Sequence, residues 1–262
     1  MNFTSDLMGI PVIETPSAVM HGANEMRGYE QRDRSVDPTG GFAKPFTIPV
    51  MSRQEIKERF EEQERTKSRI YDVMQRAGVK PLNQGQTNFC WANGPTDCVQ
   101  VARVLMGAEH VPLSPASLAG PIKNYRNEGG WGIQAVKYAS EHGVCPQSLW
   151  PANDAKKKYD TEASRAERQK YAIAPDGWLD LPEGDWLAVF TCVALLMPGS
   201  LAHMEWQHLV GSWVAGGVAS NGELMVLCRN SGYGRDNTGH SWIKESFGRP
   251  DEALAIQVVT GA

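Results

Sequence analysis

An α+β fold, with a helical half followed by an antiparallel half and a cleft between them, is predicted by three features of this 262-residue chain. Helical patterns come first and strand patterns last. Hydrophobic residues make up 41% of the sequence, enough for a buried core at this length. One stretch, Gln84-Gly85-Gln86-Thr87-Asn88-Phe89-Cys90-Trp91, stands where a loop enters an amphipathic segment that ends near Met106. A thiol at such a junction meets unpaired backbone N–H groups and the positive end of the helix dipole, both of which favour its thiolate. Cys90 is the candidate nucleophile.

Composition narrows the classes. A net charge of −4 provides no basic field to gather nucleic acid or an anionic membrane. The five cysteines include no CxxC pair and no regular spacing, so neither a disulfide scaffold nor a zinc site is expected, and no metal or cofactor is implied. Reduced thiols in a cytoplasmic setting fit better. The N-terminus lacks a basic segment followed by an apolar one, and no apolar run approaches ~18 residues, so neither secretion nor membrane spanning is expected.

In order, residues 1–50 carry Pro11, Pro16, Pro38, Pro45, Pro49 and the pair Gly40-Gly41, with short apolar patches and no sustained period. They read as an irregular arm in which Phe42, Phe46, Ile48 and Val50 could dock on the rest of the chain or on another subunit. Residues 51–77 form a charged helix: Ser52 and Glu55 make a capping box, the interior lacks Gly and Pro, and Gly78 suits a C-terminal cap. Its apolar residues, Ile56 and Phe60, then Ile70, Val73, Met74 and Ala77, anchor only its ends. Beyond Cys90 the apolar side runs through Val101, Ala102 and Leu105, while Gly94-Pro95 implies a later helix start or a kink. Ser114-Pro115 opens a further helix. Gly129-Gly130-Trp131-Gly132 precedes another that Gly143 closes, residues 156–171 read as surface helix or loop, and residues 186–197 as an apolar helix. Apolar runs at 200–205, 208–215, 223–229, 240–245 and 253–259 read as strands.

At residues 78–92 the chain resembles a known family. Gly78-Val79-Lys80-Pro81-Leu82-Asn83-Gln84-Gly85 followed by Cys90-Trp91-Ala92 is similar to the papain-like cysteine peptidases, with the same spacing of six from Gln to Cys. The similarity continues through Gly129-Gly130-Trp131, through Gly143-Val144-Cys145 to Leu149-Trp150-Pro151, and through His208 and Asn230-Ser231, covering residues 78–248. It implies a two-lobed fold for residues 78–262 and thiol-dependent hydrolysis of peptide bonds in a peptide or protein substrate. Acyl transfer of this kind needs a nucleophile, a proton shuttle and donors for the oxyanion. The resemblance casts Cys90 as nucleophile, His208 as its ion-pair partner and later acid, Asn230 as orienter of the imidazole, and Gln84 with the Cys90 N–H as oxyanion donors. Gly129 and Gly130 would admit a substrate strand, and Trp131 would line a pocket. His203, five positions before His208, is expected to face the other way.

The departures are informative. Thr87 and Asn127 stand where the family has two cysteines joined in a disulfide, which suits a reducing compartment. Gly232 replaces a tryptophan that shields the Asn–His hydrogen bond, and the stretch from Met197 to His208 is short. A second class of reading follows from these: a catalytically weak or inactive papain-fold structural or binding protein, for example a phage virion component, assembling with copies of itself or with a particle through residues 1–77.

Overall fold

The computed structural model describes residues 7, 9–10, 12, 28–36, 42–203, 206–231 and 239–257. Helix α1 (Arg53–Thr66) opens on the capping box, with the Glu55 carboxylate accepting from the Ser52 N–H at 2.8 Å. The single helix expected over 51–77 is two. Lys67 turns into left-handed backbone (φ 51°) and α2 (Ile70–Arg76) restarts after it. The apolar pattern gives the reason: Ile56 and Phe60 bury in one core cluster, while Ile70 and Met74 bury in another beside Val101 and Trp242. Gly78, at φ 65°, caps α2 and releases the chain toward the loop before Cys90.

Helix α3 (Cys90–Leu105) is the centre of the molecule, with every residue from Cys90 to Ala102 buried. It begins at Cys90, ahead of Gly94-Pro95 rather than after it. Packing explains the glycine. A Cβ on Gly94 would stand 2.0 Å from Leu209 Cδ2 and 3.2 Å from the Val210 carbonyl oxygen, so only glycine lets the first sheet approach the helix here. Helices α4 (Ala116–Ile122) and α5 (Gly132–His142) pack on α3 around Trp91, Val99, Leu118, Val136 and Trp150 to make the helical lobe. Among the described residues, no helix is long and apolar enough to cross a membrane.

The second lobe holds two sheets. One is five-stranded in the order β1-β2-β8-β3-β4: β1 (Lys44–Pro45), β2 (Trp178–Asp180), β3 (Gly199–His203), β4 (His208–Val210) and β8 (Glu252–Ile256). The other is β5 (Trp213–Val218), β6 (Leu224–Arg229) and β7 (His240–Lys244), paired antiparallel. Helix α7 (Trp186–Ala194) and α1 bury Phe190 and Phe60 against these sheets, and α6 (Glu162–Arg168) lies in the stretch read as surface helix or loop. The run at 208–215, expected as one strand, breaks at Gly211-Ser212 and serves both sheets. A buried ion pair sits at that corner: Asp97 on α3 accepts from the Ser212 N–H at 3.2 Å and pairs with Arg229 Nε at 2.9 Å. Strands β1 and β2, of two and three residues, are too short for a period-2 pattern to register.

The arm is docked, not separate. Phe42, Phe46 and Ile48 pack on the lobes, whereas Val50 is 45% exposed. The Leu7 carbonyl accepts from Trp242 Nε1 at 3.1 Å, and Val12 bridges to Trp242.

The Arg229 side chain also donates to the carbonyls of Val79 and Lys80, so one guanidinium joins α3, the sheet corner and the chain that leads to Cys90. Removing one partner of a buried pair leaves an uncompensated charge, at a cost of about 3–5 kcal/mol. In urea titrations Arg229→Met is therefore expected to lose about 3–5 kcal/mol of unfolding free energy, and Asp97→Leu in the same chain to recover part of it. A loss below about 1 kcal/mol would contradict this role.

Candidate active site

Cys90 is the first residue of α3, with Phe89 as its N-cap, and is fully buried. His208 opens β4 and Asn230 follows β6. Each strand end delivers its side chain to the cleft because the run at 208–215 turns the corner at Gly211. His208 Nε2 lies 2.9 Å from Asn230 Oδ1. An amide oxygen only accepts, so Nε2 carries the hydrogen and Nδ1 keeps its lone pair, with no hydrogen-bond partner of its own. Asn230 and His208 are 0% and 1% exposed, so their bond is shut off from water. Gly232, expected to leave that bond unshielded, lies outside the described residues.

Gln84 is tied from both ends. Its Nε2 donates to the Thr87 carbonyl at 3.0 Å, and its Oε1 accepts from Ser231 Oγ at 2.7 Å. The Ser231 bond couples Gln84 to the residue beside Asn230. A second tie stands where the disulfide was expected to be missing: Asn127 Oδ1 accepts from the Asn88 N–H at 2.7 Å, and Asn127 Nδ2 donates to the Gln86 carbonyl at 3.3 Å. All five cysteines are unpaired and buried.

Burial bears on the ion pair expected between Cys90 and His208, since it favours the neutral form of each group. Burial pushes the Cys90 thiol up to about 11, outweighing bonds to backbone groups of Leu209, Gly28 and Trp91. Burial likewise lowers His208 to about 4, against the bond that it donates to Asn230. Both shifts have one cause, since each charged form would lose its hydration in so buried a site. The arm lies over this site. Gly130 donates its N–H to the Gly28 carbonyl at 2.8 Å and accepts from the Glu30 N–H at 3.1 Å, while Tyr29 donates to the Gln207 carbonyl at 3.3 Å. The Gly129-Gly130 edge, read as the seat of a substrate strand, thus holds residues 28–30 in parallel pairing. A Cβ on Gly129 would stand 2.8 Å from the Gly28 carbonyl oxygen, and one on Gly28 2.0 Å from that of Asn88, so neither position admits a side chain. Trp131 is half-buried at the head of α5 and packs with the helical lobe.

Another expectation changes. The β3–β4 register pairs His203 directly with His208, so the two share a face, and His203 is instead removed by stacking on Trp206 at 5.2 Å. Sequence reasoning missed Tyr29, Arg32, Arg34, Asp180 and Glu252 altogether. Arg32 and Arg34 both bind the Asp180 carboxylate, at 3.0 and 3.3 Å, and Arg34 reaches the Asp251 carbonyl at 3.3 Å. The alternation Arg32-Asp33-Arg34 was the available signal, since extended chain puts residues i and i+2 on one side.

A thiol at a helix start, a His–Asn pair on strand ends, and a cleft between a helical and an antiparallel lobe define a papain-like fold. No protein-family model matches the chain. It is 27% identical to Procathepsin L of Rattus norvegicus over 201 residues, which is 68% of this chain and 56% of that protein. It is 29% identical to Cysteine protease 1 of Oryza sativa subsp. japonica over 123 residues, 45% of this chain and 24% of that one. The chain therefore matches about half or less of these relatives' length. Among solved structures, digestive procathepsin L 3 of Tenebrio molitor superposes with a TM-score of 0.60 at 18% identity, covering 93% of this chain and 78% of that one. Xylellain, a cysteine protease from Xylella fastidiosa, gives 0.57 at 15% identity and covers 99% of both chains.

With its pKa at about 11, the Cys90 thiol is protonated across neutral pH, and the thiolate fraction grows only as pH climbs toward that value. Alkylation of Cys90 by iodoacetamide, followed by peptide mapping, is expected to be slow at pH 7 in the full chain and to rise about tenfold per pH unit. A plateau already reached by pH 7 would show that the thiol is not held neutral.

Proposed function

We propose that this chain is a cysteine peptidase that hydrolyses peptide bonds with Cys90, His208, Asn230 and Gln84, and that its own residues 28–34 keep the cleft closed. One observation carries the reading: an imidazole whose Nε2 hydrogen is committed to Asn230 presents an unpartnered basic Nδ1 in the cleft that also holds the Cys90 thiol. With the arm withdrawn, water and substrate reach the cleft, the desolvation that keeps both groups neutral is relieved, and the proton can pass from thiol to imidazole. The thiolate then attacks the peptide carbonyl, and the imidazolium returns the proton to the leaving amine. Water activated by the same imidazole releases the acyl group. The Cys90 N–H and the Gln84 amide would donate to the oxyanion in this reading.

Latency follows from how the arm is held. Gly28 and Glu30 pair with Gly130 as an added strand, and Arg32 and Arg34 fasten it to Asp180. The sequence alone leaves little room for maturation by cleavage, because a long helix leads into the nucleophile segment. The blocking residues precede β1, so a cut between 36 and 42 would free the cleft and spare both helices. A structural role that keeps the scaffold without turnover has less support, since the His208–Asn230 bond is intact and buried.

An epoxide-type thiol probe tests this under reducing conditions. Arg32→Ala with Arg34→Ala is expected to speed labelling of Cys90 at least tenfold over the unaltered chain, because a buried ion pair that loses one partner is destabilised by about 3–5 kcal/mol. Cys90→Ala should abolish labelling. No labelling and no peptide turnover in the double variant would sink the peptidase assignment; equal labelling with and without the arginines would sink the latch.

A further inference from the structure

The arm meets the lobes at two places, and the second is the edge of a sheet. Among the described residues β7 is the last strand of its sheet, paired with β6 on one side, and on the other side Val12 makes a parallel bridge to Trp242. The Leu7 carbonyl accepts from Trp242 Nε1 at 3.1 Å, and the Ile10 N–H turns back onto the same carbonyl at 3.0 Å. Leu7 is 9% exposed and packs with Trp242, Met225, Leu227 and Val214, while Ile10 and Val12 lie at the margin of that cluster. The sheet makes room for the anchor. The six-membered end of the Trp242 ring reaches across β6 to Gly217 on β5, where a Cβ would stand 3.0 Å from Cη2, and the N–H end is left to meet the arm. An edge strand with an apolar anchor beside it is a surface on which an extended peptide docks.

The two holds are built differently. In the cleft, the Tyr29 hydroxyl and both Glu252 carboxylate oxygens are buried, approached by backbone N–H groups of Arg32 and Ile133 but completing no hydrogen bond. Closing the cleft therefore costs part of what the Gly130 pairing and the Asp180 ion pairs contribute. At β7 the indole N–H is paired, and the side chain brought in is a leucine entering an apolar cluster. Residues 28–34 are the part suited to leave, and residues 7–12 the part suited to stay. A cut between 36 and 42 removes the covalent link on one side of the plug. On the other side the chain still joins it to β7, so the plug returns by an intramolecular step. Linking two contacts in this way raises retention by a factor on the order of 10²–10⁴ without any new contact.

We propose that the edge of β7 around Trp242 is a peptide-docking site separate from the cleft, that its occupant is residues 7–12 of this chain, and that it retains the arm after a cut between 36 and 42. The consequence rests on the peptidase reading above. The cut opens the cleft only while the tethered plug is away, and lasting activity takes the loss of residues 7–12 as well.

The test uses the full chain with a site-specific protease sequence in place of residues 37–41, cut in solution, with Cys90→Ala to remove turnover while binding of the N-terminal fragment is followed by gel filtration and fluorescence anisotropy. With Arg32→Ala and Arg34→Ala added, the fragment is expected to stay bound. Leu7→Asp should then weaken it about tenfold or more, since a carboxylate takes the place of a buried leucine. Trp242→Phe, which keeps a ring on the sheet but offers no N–H to the Leu7 carbonyl, should weaken it about fivefold. A synthetic peptide of residues 1–14 separates docking from folding: it should displace the fragment from the chain that lacks the two arginines, and the same peptide with Leu7→Asp should not. A fragment lost on the arginine changes alone, an affinity that Leu7→Asp leaves unchanged, or equal displacement by both peptides overturns the site. With Cys90 intact, the cut chain should be labelled by the epoxide probe about tenfold faster once Leu7→Asp is present, and equal labelling would overturn the tether. If the fragment behaves as expected and no variant labels at all, the peptidase reading fails and the docking site stands.

Discussion

Three consecutive residues at the end of β6 hold this molecule together across its lobes. Arg229 pairs with Asp97 in the middle of the central helix and grips the carbonyls of Val79 and Lys80; Asn230 receives the His208 hydrogen; Ser231 holds the Gln84 amide. Buried pairs of this kind give little net stability, because desolvation offsets the attraction, but they punish any other arrangement. Asp97 meets an N–H of Ser212 at the same corner where the chain passes from one sheet to the other. The guanidinium therefore fixes where the sheets part and where the loop before Cys90 lies, and with them the positions of two side chains at the candidate site.

The site illustrates how environment, and not residue identity alone, sets reactivity. A helix N-terminus favours a thiolate, which is why Cys90 stands out in the sequence. In the closed cleft desolvation is the larger effect, and it moves thiol and imidazole toward their neutral forms. The arm that lies over the site is retained by charge, through Asp180, and by shape, through Tyr29. Occlusion and electrostatics are thus one device: the segment that blocks the cleft also supplies the cations that face its carboxylates.

Some departures from the papain-like pattern have plain physical equivalents. The cross-tie that a disulfide would make is made by hydrogen bonds, one that Asn127 accepts from the Asn88 N–H and one that it donates to the Gln86 carbonyl, which hold the same two loops without a covalent link. Gly94-Pro95, odd behind a nucleophile, answers the demand of Leu209 and Val210 for space against α3. Neither feature bears on catalysis directly, and both keep the helix start beside β4.

The sequence by itself determined the class of fold and singled out the loop that carries Cys90, since helical periods, strand runs and the Gln84-to-Cys90 spacing are local patterns. It marked His208 through its place before an apolar run, and Asn230 only through the resemblance to the papain-like peptidases. Tertiary structure alone decided what those groups are doing. The break at Lys67, the corner at Gly211 and the in-register pairing of His203 with His208 all depend on which cluster or strand a segment meets, and no local period records that. Tyr29, Arg32, Arg34, Asp180 and Glu252 are far apart in the chain, and their charges acquire meaning only when β2, β3 and β8 bring them to one wall. From the stretch beginning at Gln84 one reads a reactive thiol; only the packed arm shows that thiol kept neutral, because burial is a property of the whole fold.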